Sequence, residues 1–243
     1  MTRLRRVVAL GTVVTGVWSL AACGRTPPID PWAPAPSGAA SSPAAGPAGD
    51  DPGASGTCEY VPTGQPARPV RPPSSTGVPD SGTVSYLLTT NEGEVRITLD
   101  RSKAPCTVHS FVSLAEQGFF DQTSCPRLVD SGIFLLQCGD PTGTGRGGPG
   151  YTFADETDGT ESYTAGVVAM ANAGPHTGGS QFLLFWDDST LLDQTPDFTI
   201  FGRMDEKSRQ VVARIAAEGQ DGSNPSGGGK PNNPAQIIRV TQR

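Results

Sequence analysis

Hydrophobic positions beyond residue 82 recur mainly with the two-residue period of β-strands. Thr83–Thr90 and Glu94–Asp100 are rich in β-forming side chains and flank the turn sequence Asn91-Glu92-Gly93, so they predict a hairpin. The same kind of pattern predicts six further short strands. They are Cys125–Val129, Phe134–Cys138, Gly166–Ala171, Gln181–Trp186, Phe198–Arg203 and Ala235–Thr241.

Two segments carry apolar residues at helical spacing instead. They are Pro105–Gln117, which is closed by Gly118, and Asp205–Gly219. Their apolar positions are Val108, Phe111, Val112 and Ala115 in the first and Val211, Val212, Ile215 and Ala216 in the second. Eight short strands and two helices predict a mainly β fold, a closed eight-stranded antiparallel barrel capped by two α-helices.

The N-terminus has the pattern of an export signal. Three arginines within residues 1–6 precede Val7–Leu20, which is uncharged and, at about 21 Å as a helix, too short to cross a membrane. Leu20-Ala21-Ala22-Cys23 resembles a bacterial lipobox. We therefore expect a lipoprotein signal peptide at residues 1–22, with Cys23 acylated and the protein anchored to the extracytoplasmic face of the cell membrane. Plain secretion is the alternative.

Composition changes sharply at about residue 82. Gly (31) and Pro (23) make up 54 of the 243 residues, and 14 of the prolines lie between Gly24 and Gly82. Such a stretch has too few apolar side chains to offset the entropy lost on folding. Residues 23–82 are therefore predicted to be a disordered tether, and residues 83–243 the folded domain.

Charge and motifs exclude several functions. The formal net charge is −6 and no basic cluster follows residue 6, which argues against nucleic acid. The glycines of residues 143–148 match GxGxxG, but Pro149 follows them and no βαβ unit surrounds them. His109 and His176 form no metal-binding pair and are expected to be polar surface or cap residues. No cofactor, metal or oligomer is indicated.

Two motifs together resemble one family. Arg127-Leu128-Val129 precedes a stretch from Phe134 to Asp140, and Met170-Ala171-Asn172-Ala173-Gly174-Pro175 precedes Gly179-Ser180-Gln181-Phe182. The motifs and their order resemble those of the cyclophilins, which are peptidyl-prolyl cis/trans isomerases. The N-terminal sequence resembles that of secreted bacterial lipoprotein members of the family. The resemblance covers nearly all of residues 83–243 and implies the barrel described above. Its implied substrates are proline-containing polypeptides, here exported ones.

The resemblance also implies a role for particular residues. Arg127 corresponds to the catalytic arginine and Gln137 to the polar residue beside it. The implied substrate-binding residues are Phe134, Leu135, Ala171, Asn172, Gln181, Leu183, Leu191, Leu192 and Phe198. Three of these depart from the family pattern, since Leu183 stands in place of Phe, Leu191 in place of Trp and Phe198 in place of His. The altered pocket keeps two alternatives open, a non-catalytic chaperone or peptide-binding module on the same fold and a cell-surface interaction protein.

An arginine beside an apolar pocket suits isomerisation of X-Pro bonds. Rotation about that bond is opposed by ~20 kcal/mol because resonance gives the C–N bond double-bond character. Twisting the bond leaves a lone pair on the prolyl nitrogen, to which a guanidinium can donate a hydrogen bond. A short loop at Asp130–Phe134 is predicted to place Arg127 opposite Gln137 on one face of a hairpin.

Four cysteines follow Cys23, namely Cys58, Cys106, Cys125 and Cys138, and they allow three complete pairings. If Arg127 faces Gln137, then Cys125 and Cys138 point to opposite faces, which counts against joining them. We expect Cys106 to bond to one of these two, and buried thiols are the alternative.

Overall fold

A computed structural model describes residues 54–243 of the chain. The strands are β1 Ala54–Thr57, β2 Val61–Pro62, β3 Thr76–Pro79, β4 Thr83–Thr90, β5 Gly93–Asp100, β6 Thr123–Ser124, β7 Arg127–Ser131, β8 Ile133–Cys138, β9 Tyr151–Thr152, β10 Val167–Met170, β11 Phe182–Phe185, β12 Ile200–Met204 and β13 Gln236–Gln242. The helices are α1 Pro105–Glu116, α2 Glu206–Ala217 and a 3₁₀ helix at Thr190–Gln194. Within these residues, none of the helices has both the length and the hydrophobicity of a membrane span.

The predicted hairpin and both predicted helices are confirmed. β4 pairs with β5 from Thr83 opposite Asp100 to Thr90 opposite Gly93, which leaves Asn91-Glu92 as the turn. α1 has no side-chain cap of its own. The carboxylate of Glu156 instead accepts hydrogen bonds from the backbone N–H groups of Cys106 (2.9 Å) and Thr107 (2.8 Å) at the start of the helix.

The main sheet is a nine-stranded curled half-barrel and not the closed eight-stranded barrel that the sequence predicted. Its strand order is β6-β13-β4-β5-β12-β10-β11-β8-β7. Pro126 explains the difference, because it has no N–H for a ladder and divides the predicted strand Cys125–Val129. The residues Thr123–Ser124, which precede the predicted strand, form β6 and pair with β13, and the residues after Pro126 form β7 and pair with β8. Consecutive segments of the chain therefore occupy the two ends of the sheet.

Apolar side chains pack on both faces of this sheet. The inner core includes α1, α2 and stacked rings, with Phe111 and Phe120 centred 4.9 Å apart. A second group lies on the other face, and we call it the outer cluster. It consists of buried Val129, Leu135, Tyr163, Val167, Ala169, Leu183 and Phe185, with Ile133, Ala171, Leu192, Phe198 and Ile200 packed against them.

The tether prediction is wrong for residues 54–82, which are folded against the domain. β1 pairs with β3, and β2 pairs with β9. Val78 is completely buried. Arg68 donates from Nη1 to the backbone carbonyls of Gly118 (2.7 Å), Phe119 (3.0 Å) and Asp121 (2.7 Å), just after α1. A few anchoring side chains thus order a segment whose composition is that of a linker. The predicted signal peptide, Cys23 and the rest of the predicted tether lie outside the described residues.

The expected cysteine pairing is also wrong. Cys58 is bonded to Cys106, and Cys125 to Cys138. The alternation argument against the second pair assumed one continuous strand through Cys125. Because Pro126 ends that strand, Cys125 turns away from β7, its N–H donates to the carbonyl of Ala235, and its Cα lies 4.1 Å from that of Cys138.

Candidate active site

Three neighbouring strands bring the arginine and its predicted neighbour together. Arg127 on β7 lies directly opposite Gln137 on β8, as predicted, and Gln137 lies opposite Leu183 on β11. Paired residues on adjacent antiparallel strands present their side chains to the same face, with Cβ atoms roughly 5 Å apart. Arg127, Gln137 and Leu183 therefore form a row across the outer face of the sheet.

The outer cluster supplies an apolar surface beside this row. Leu135 and Leu183 are each only 2 % exposed. Leu192 and Phe198 are half-buried and pack against the same cluster. Four of the residues that the sequence assigned to substrate binding, three of them to the proline pocket, therefore share one apolar site, which could hold a ring that has no N–H to satisfy.

Backbone carbonyls hold the guanidinium of Arg127. Its Nε donates to the carbonyl of Gly227 and its Nη2 to that of Ser226, both at 3.1 Å. Burial lowers the pKa of Arg127 from its ordinary value. An arginine nevertheless stays charged at neutral pH, because its ordinary pKa is so high. The side chain is thus a fixed, half-buried cation whose remaining N–H groups can donate to a substrate.

A chain of amides fixes Gln137. Its Nε2 donates to Oε1 of Gln181 (2.6 Å), and Nε2 of Gln181 donates to the carbonyl of Gly147 (2.9 Å). The N–H of Ala171 donates to the carbonyl of Gln181 (2.9 Å). A hydrogen bond between Ala171 and a bound peptide would therefore use the carbonyl of Ala171. Asn172 donates from Nδ2 to Asp155 (3.2 Å) and to the carbonyl of Asp197 (2.8 Å).

Two of the predicted substrate-binding residues, Phe134 and Leu191, lie away from the outer cluster. Phe134 has the opposite strand parity to Leu135, and its ring packs edge-on against Trp186, with the ring centroids 5.1 Å apart. Ile133 packs against the outer cluster at this end of β8. Leu191 is 57 % exposed, and a side chain at Gly132 would contact it. Leu191 therefore lies at the rim, beside the turn that joins β7 to β8.

Sequence reasoning missed Tyr163, which holds Phe198 in place. Its hydroxyl donates to the carbonyl of Phe198 and accepts from the N–H of the same residue, both at 2.9 Å. Its ring packs against Phe185 and Phe198, and burial raises its pKa to about 12. The two residues are 35 positions apart and no local motif links them, so the sequence carries no signal for this contact.

We expect Tyr163→Phe to lower the free energy of unfolding by about 1–3 kcal/mol, because it leaves partly buried backbone groups of Phe198 without their partner. The looser apolar surface should raise KM for a proline peptide more than it lowers kcat. Urea unfolding and steady-state kinetics measure the two effects. A variant with unchanged stability and unchanged KM would show that the hydroxyl does not position Phe198.

The chemistry available at this site is hydrogen-bond donation beside an apolar surface. Among residues 54–243, no group of three or more His, Cys, Asp or Glu side chains is placed to hold a metal ion. The fixed cation of Arg127, the backbone of Ala171 and the apolar outer cluster together make a site that could bind an extended peptide.

Comparison with known proteins identifies the family. Residues 85–242, about two thirds of the chain, match the model of the family described as "Cyclophilin type peptidyl-prolyl cis-trans isomerase/CLD". The chain belongs to this cyclophilin-type family.

Mycobacterial proteins and solved structures are among its relatives. The chain is 41% identical over 200 residues to the probable peptidyl-prolyl cis-trans isomerase B of Mycobacterium tuberculosis, a match that covers 76% of this chain and 62% of the relative. It is 37% identical over 176 residues to peptidyl-prolyl cis-trans isomerase A of the same organism, covering 65% of this chain and 92% of that one. A crystal structure of a Cryptosporidium parvum cyclophilin-type isomerase, 27% identical, matches with a TM-score of 0.58 over 67% of this chain and 98% of its own. A second, with a TM-score of 0.57 and 28% identity over 65% and 98%, is described as being in the presence of the dipeptide Ala-Pro.

Proposed function

We propose that this protein is a peptidyl-prolyl cis/trans isomerase that acts on X-Pro bonds at the outer face of β8 and β11. The observation that carries the proposal is the row of Arg127, Gln137 and Leu183 beside the outer cluster. Family membership and relatives named as isomerases support it. The Cryptosporidium parvum cyclophilin-type isomerase whose crystal structure was obtained in the presence of the dipeptide Ala-Pro supports a proline-containing peptide as the substrate.

In this mechanism the apolar surface holds the proline ring and Arg127 acts on the twisting bond. As conjugation is lost, the prolyl nitrogen gains a lone pair that can accept a hydrogen bond from the guanidinium. One charged hydrogen bond contributes about 1.5–3 kcal/mol. Desolvation on the outer cluster and binding of the peptide in a twisted conformation supply the rest of the lowered barrier. Gln137, fixed by Gln181, keeps its polar end next to the same bond.

The second candidate function is a peptide-binding module without catalysis, and Leu183 in place of the family's Phe is the observation that favours it. One measurement distinguishes the two functions. We expect the full-length protein to accelerate isomerisation of a proline tetrapeptide in proportion to its concentration, as seen in a protease-coupled assay. Peptide binding with an isomerisation rate equal to the uncatalysed one would favour the binding module.

We further propose that the substrates are exported polypeptides and that Cys23 carries a lipid. The arginines of residues 1–6, the uncharged stretch that follows and the lipobox-like sequence support this proposal. All of them lie outside the described residues.

Cys23→Ser should release the protein from membranes, because acylation requires the thiol. Fractionation and labelling with a radioactive fatty acid measure retention and acylation directly, with Cys58→Ser/Cys106→Ser as the control for loss of cysteines elsewhere in the chain. Undiminished label and membrane retention in the Cys23 variant would contradict the lipoprotein proposal.

A further inference from the structure

A polar pocket adjoins the outer cluster, and the N-terminal segment forms one of its walls. The cavity has a volume of about 510 Å³. Gln137, Gln181 and Ala171 line it on the side of the apolar surface, and Thr63 and Gln65 line it on the other side. Thr63 and Gln65 belong to residues 58–68, a segment that precedes the family match at residue 85.

Three kinds of contact hold this segment in place. The disulfide Cys58–Cys106 fixes its start to α1, and Arg68 fixes its end to the carbonyls that follow α1. Between them, the N–H of Thr63 donates to the carbonyl of Gly150, and the N–H of Ala67 to that of Gly148, both at 2.9 Å. Thr63 and Gln65 are therefore held at the pocket on both sides.

The facing wall is equally well fixed. Asp140 is completely buried, and its carboxylate accepts hydrogen bonds from the N–H groups of Thr142, Gly145 and Arg146. Burial raises the pKa of Asp140, but hydrogen bonds from the hydroxyl and N–H of Thr142 and from the N–H groups of Gly147 and Gly145 outweigh it and lower the pKa overall. Gly150 has a φ of +80°, and a side chain there would lie 2.9 Å from the carbonyl oxygen of Gly64, so only glycine lets the two walls meet.

The pocket lies one peptide step from the proposed proline site. Gln137 follows Leu135 by two residues on β8, a distance of about 6.6 Å. Ala171 both lines the pocket and packs against the outer cluster. In an extended peptide, side chains two positions apart point to the same side with the same spacing. A peptide with its proline on the outer cluster can therefore place the side chain two positions away in the polar pocket.

The lining indicates which side chain fits. Of the described residues that line the pocket, Arg146 is the one charged side chain, and it is exposed. The other polar side chains are amides and hydroxyls of Thr63, Gln65, Gln137, Asn172 and Gln181, together with Tyr151, Thr152, Thr177 and Ser180. The amides and hydroxyls can donate to or accept from a bound side chain, whereas the charge of Arg146 favours a carboxylate over an ammonium group.

From these observations we infer that the N-terminal segment is a specificity element, in which Gln65 and Thr63, with Arg146, select proline peptides carrying an acidic or amide side chain two residues from the proline. The inference rests on the proposed isomerase function. It assigns to residues 58–68 a role in substrate choice, beyond their packing on the domain.

The test uses the full-length protein and two series of proline peptides, with Glu, Gln, Ala or Lys placed either two positions before or two positions after the proline. For the wild type, we expect the ratio of kcat/KM for the Glu peptide to kcat/KM for the Lys peptide to be about five in one of the two series. Gln65→Lys should raise this ratio about fivefold, and Gln65→Glu should lower it about fivefold. Fivefold corresponds to about 1 kcal/mol, the interaction of two unit charges a few ångströms apart in water.

Matched controls make the result specific. Gln242 is exposed on β13 and does not line the pocket, so Gln242→Lys and Gln242→Glu should leave the ratio within twofold of the wild type. Arg146→Gln should bring it close to one. The inference would be overturned if the Gln65 variants had the same Glu-to-Lys ratios as the Gln242 variants. It would also be overturned if the Arg146 variant kept the wild-type ratio.

Peptide affinity separates this inference from the proposed function. Kd values for the same peptides, measured by calorimetric titration, should shift with Gln65 in the same direction as kcat/KM. If no peptide is isomerised while these Kd ratios still shift, the isomerase proposal fails and the specificity element stands as part of a binding module. If isomerisation proceeds and neither ratio responds to Gln65, the specificity element is wrong and the isomerase proposal stands.

Discussion

Replacing Arg127 with Ala should reduce kcat/KM for a proline tetrapeptide between about tenfold and 150-fold. The range follows from the 1.5–3 kcal/mol of a charged hydrogen bond at 1.4 kcal/mol per factor of ten. The fold should persist, because Arg127 is half-buried on the outer face and bonds only to the carbonyls of Ser226 and Gly227 among its described contacts. The coupled isomerisation assay measures the loss, and circular dichroism checks the fold.

Two further variants define what the guanidinium contributes. Arg127→Lys should recover little activity, because an ammonium group lacks the planar set of donors that reaches both the loop carbonyls and the substrate. Arg239→Ala removes an exposed arginine from β13, away from the site, and should leave kcat/KM unchanged. Near-wild-type turnover in folded Arg127→Ala would show that the mechanism does not depend on this residue.

Removing the disulfide between Cys58 and Cys106 should lower the free energy of unfolding by about 4 kcal/mol. The bond closes a loop with a sequence separation of 48 residues, and the loop-entropy relation gives this value for a loop of that length. The effect is large because this covalent bond joins the N-terminal segment to α1. The double variant Cys58→Ser/Cys106→Ser, followed by urea unfolding, provides the measurement without a free thiol.

The second disulfide provides the comparison. Cys125 and Cys138 are 13 residues apart, so the same relation gives about 3 kcal/mol for Cys125→Ser/Cys138→Ser. The Cys58/Cys106 variant should also lose part of its preference among charged peptides, because Thr63 and Gln65 are no longer fixed at that end. An equal stability for the wild type and the Cys58/Cys106 variant would mean that the hydrogen bonds of Arg68 and Thr63 hold the segment without the disulfide.

Local patterns predicted most of the domain's elements. The turn Asn91-Glu92 sits between complementary β-forming stretches, and both helices show their apolar faces in the spacing of the sequence. The register of Arg127 with Gln137 followed from strand alternation across a short loop. These features depend on neighbouring residues, so the sequence contains the information that specifies them.

Features that depend on distant contacts were not predictable. Residues 54–82 have a linker's composition, and their order depends on Cys58, Tyr60 and Arg68, whose partners lie 46 to 53 residues away. The opening of the barrel and the bond between Cys125 and Cys138 both follow from one residue, Pro126, which was treated as part of a strand. In the site, the support that Tyr163 gives to Phe198 depends on tertiary packing alone.

Exchange spectroscopy by NMR on a proline peptide tests the central claim most directly, since it detects isomerisation and the site in one sample. Uncatalysed X-Pro isomerisation takes tens to hundreds of seconds, so a peptide alone shows no cis–trans exchange within a second. With a small proportion of the full-length protein, we predict exchange cross-peaks at mixing times below about one second. We also predict that the backbone chemical shifts of the protein change mainly at Arg127, Gln137, Ala171 and Leu183. Peptide binding without exchange, or exchange without shift changes at these residues, would contradict the assignment of isomerase activity to this site.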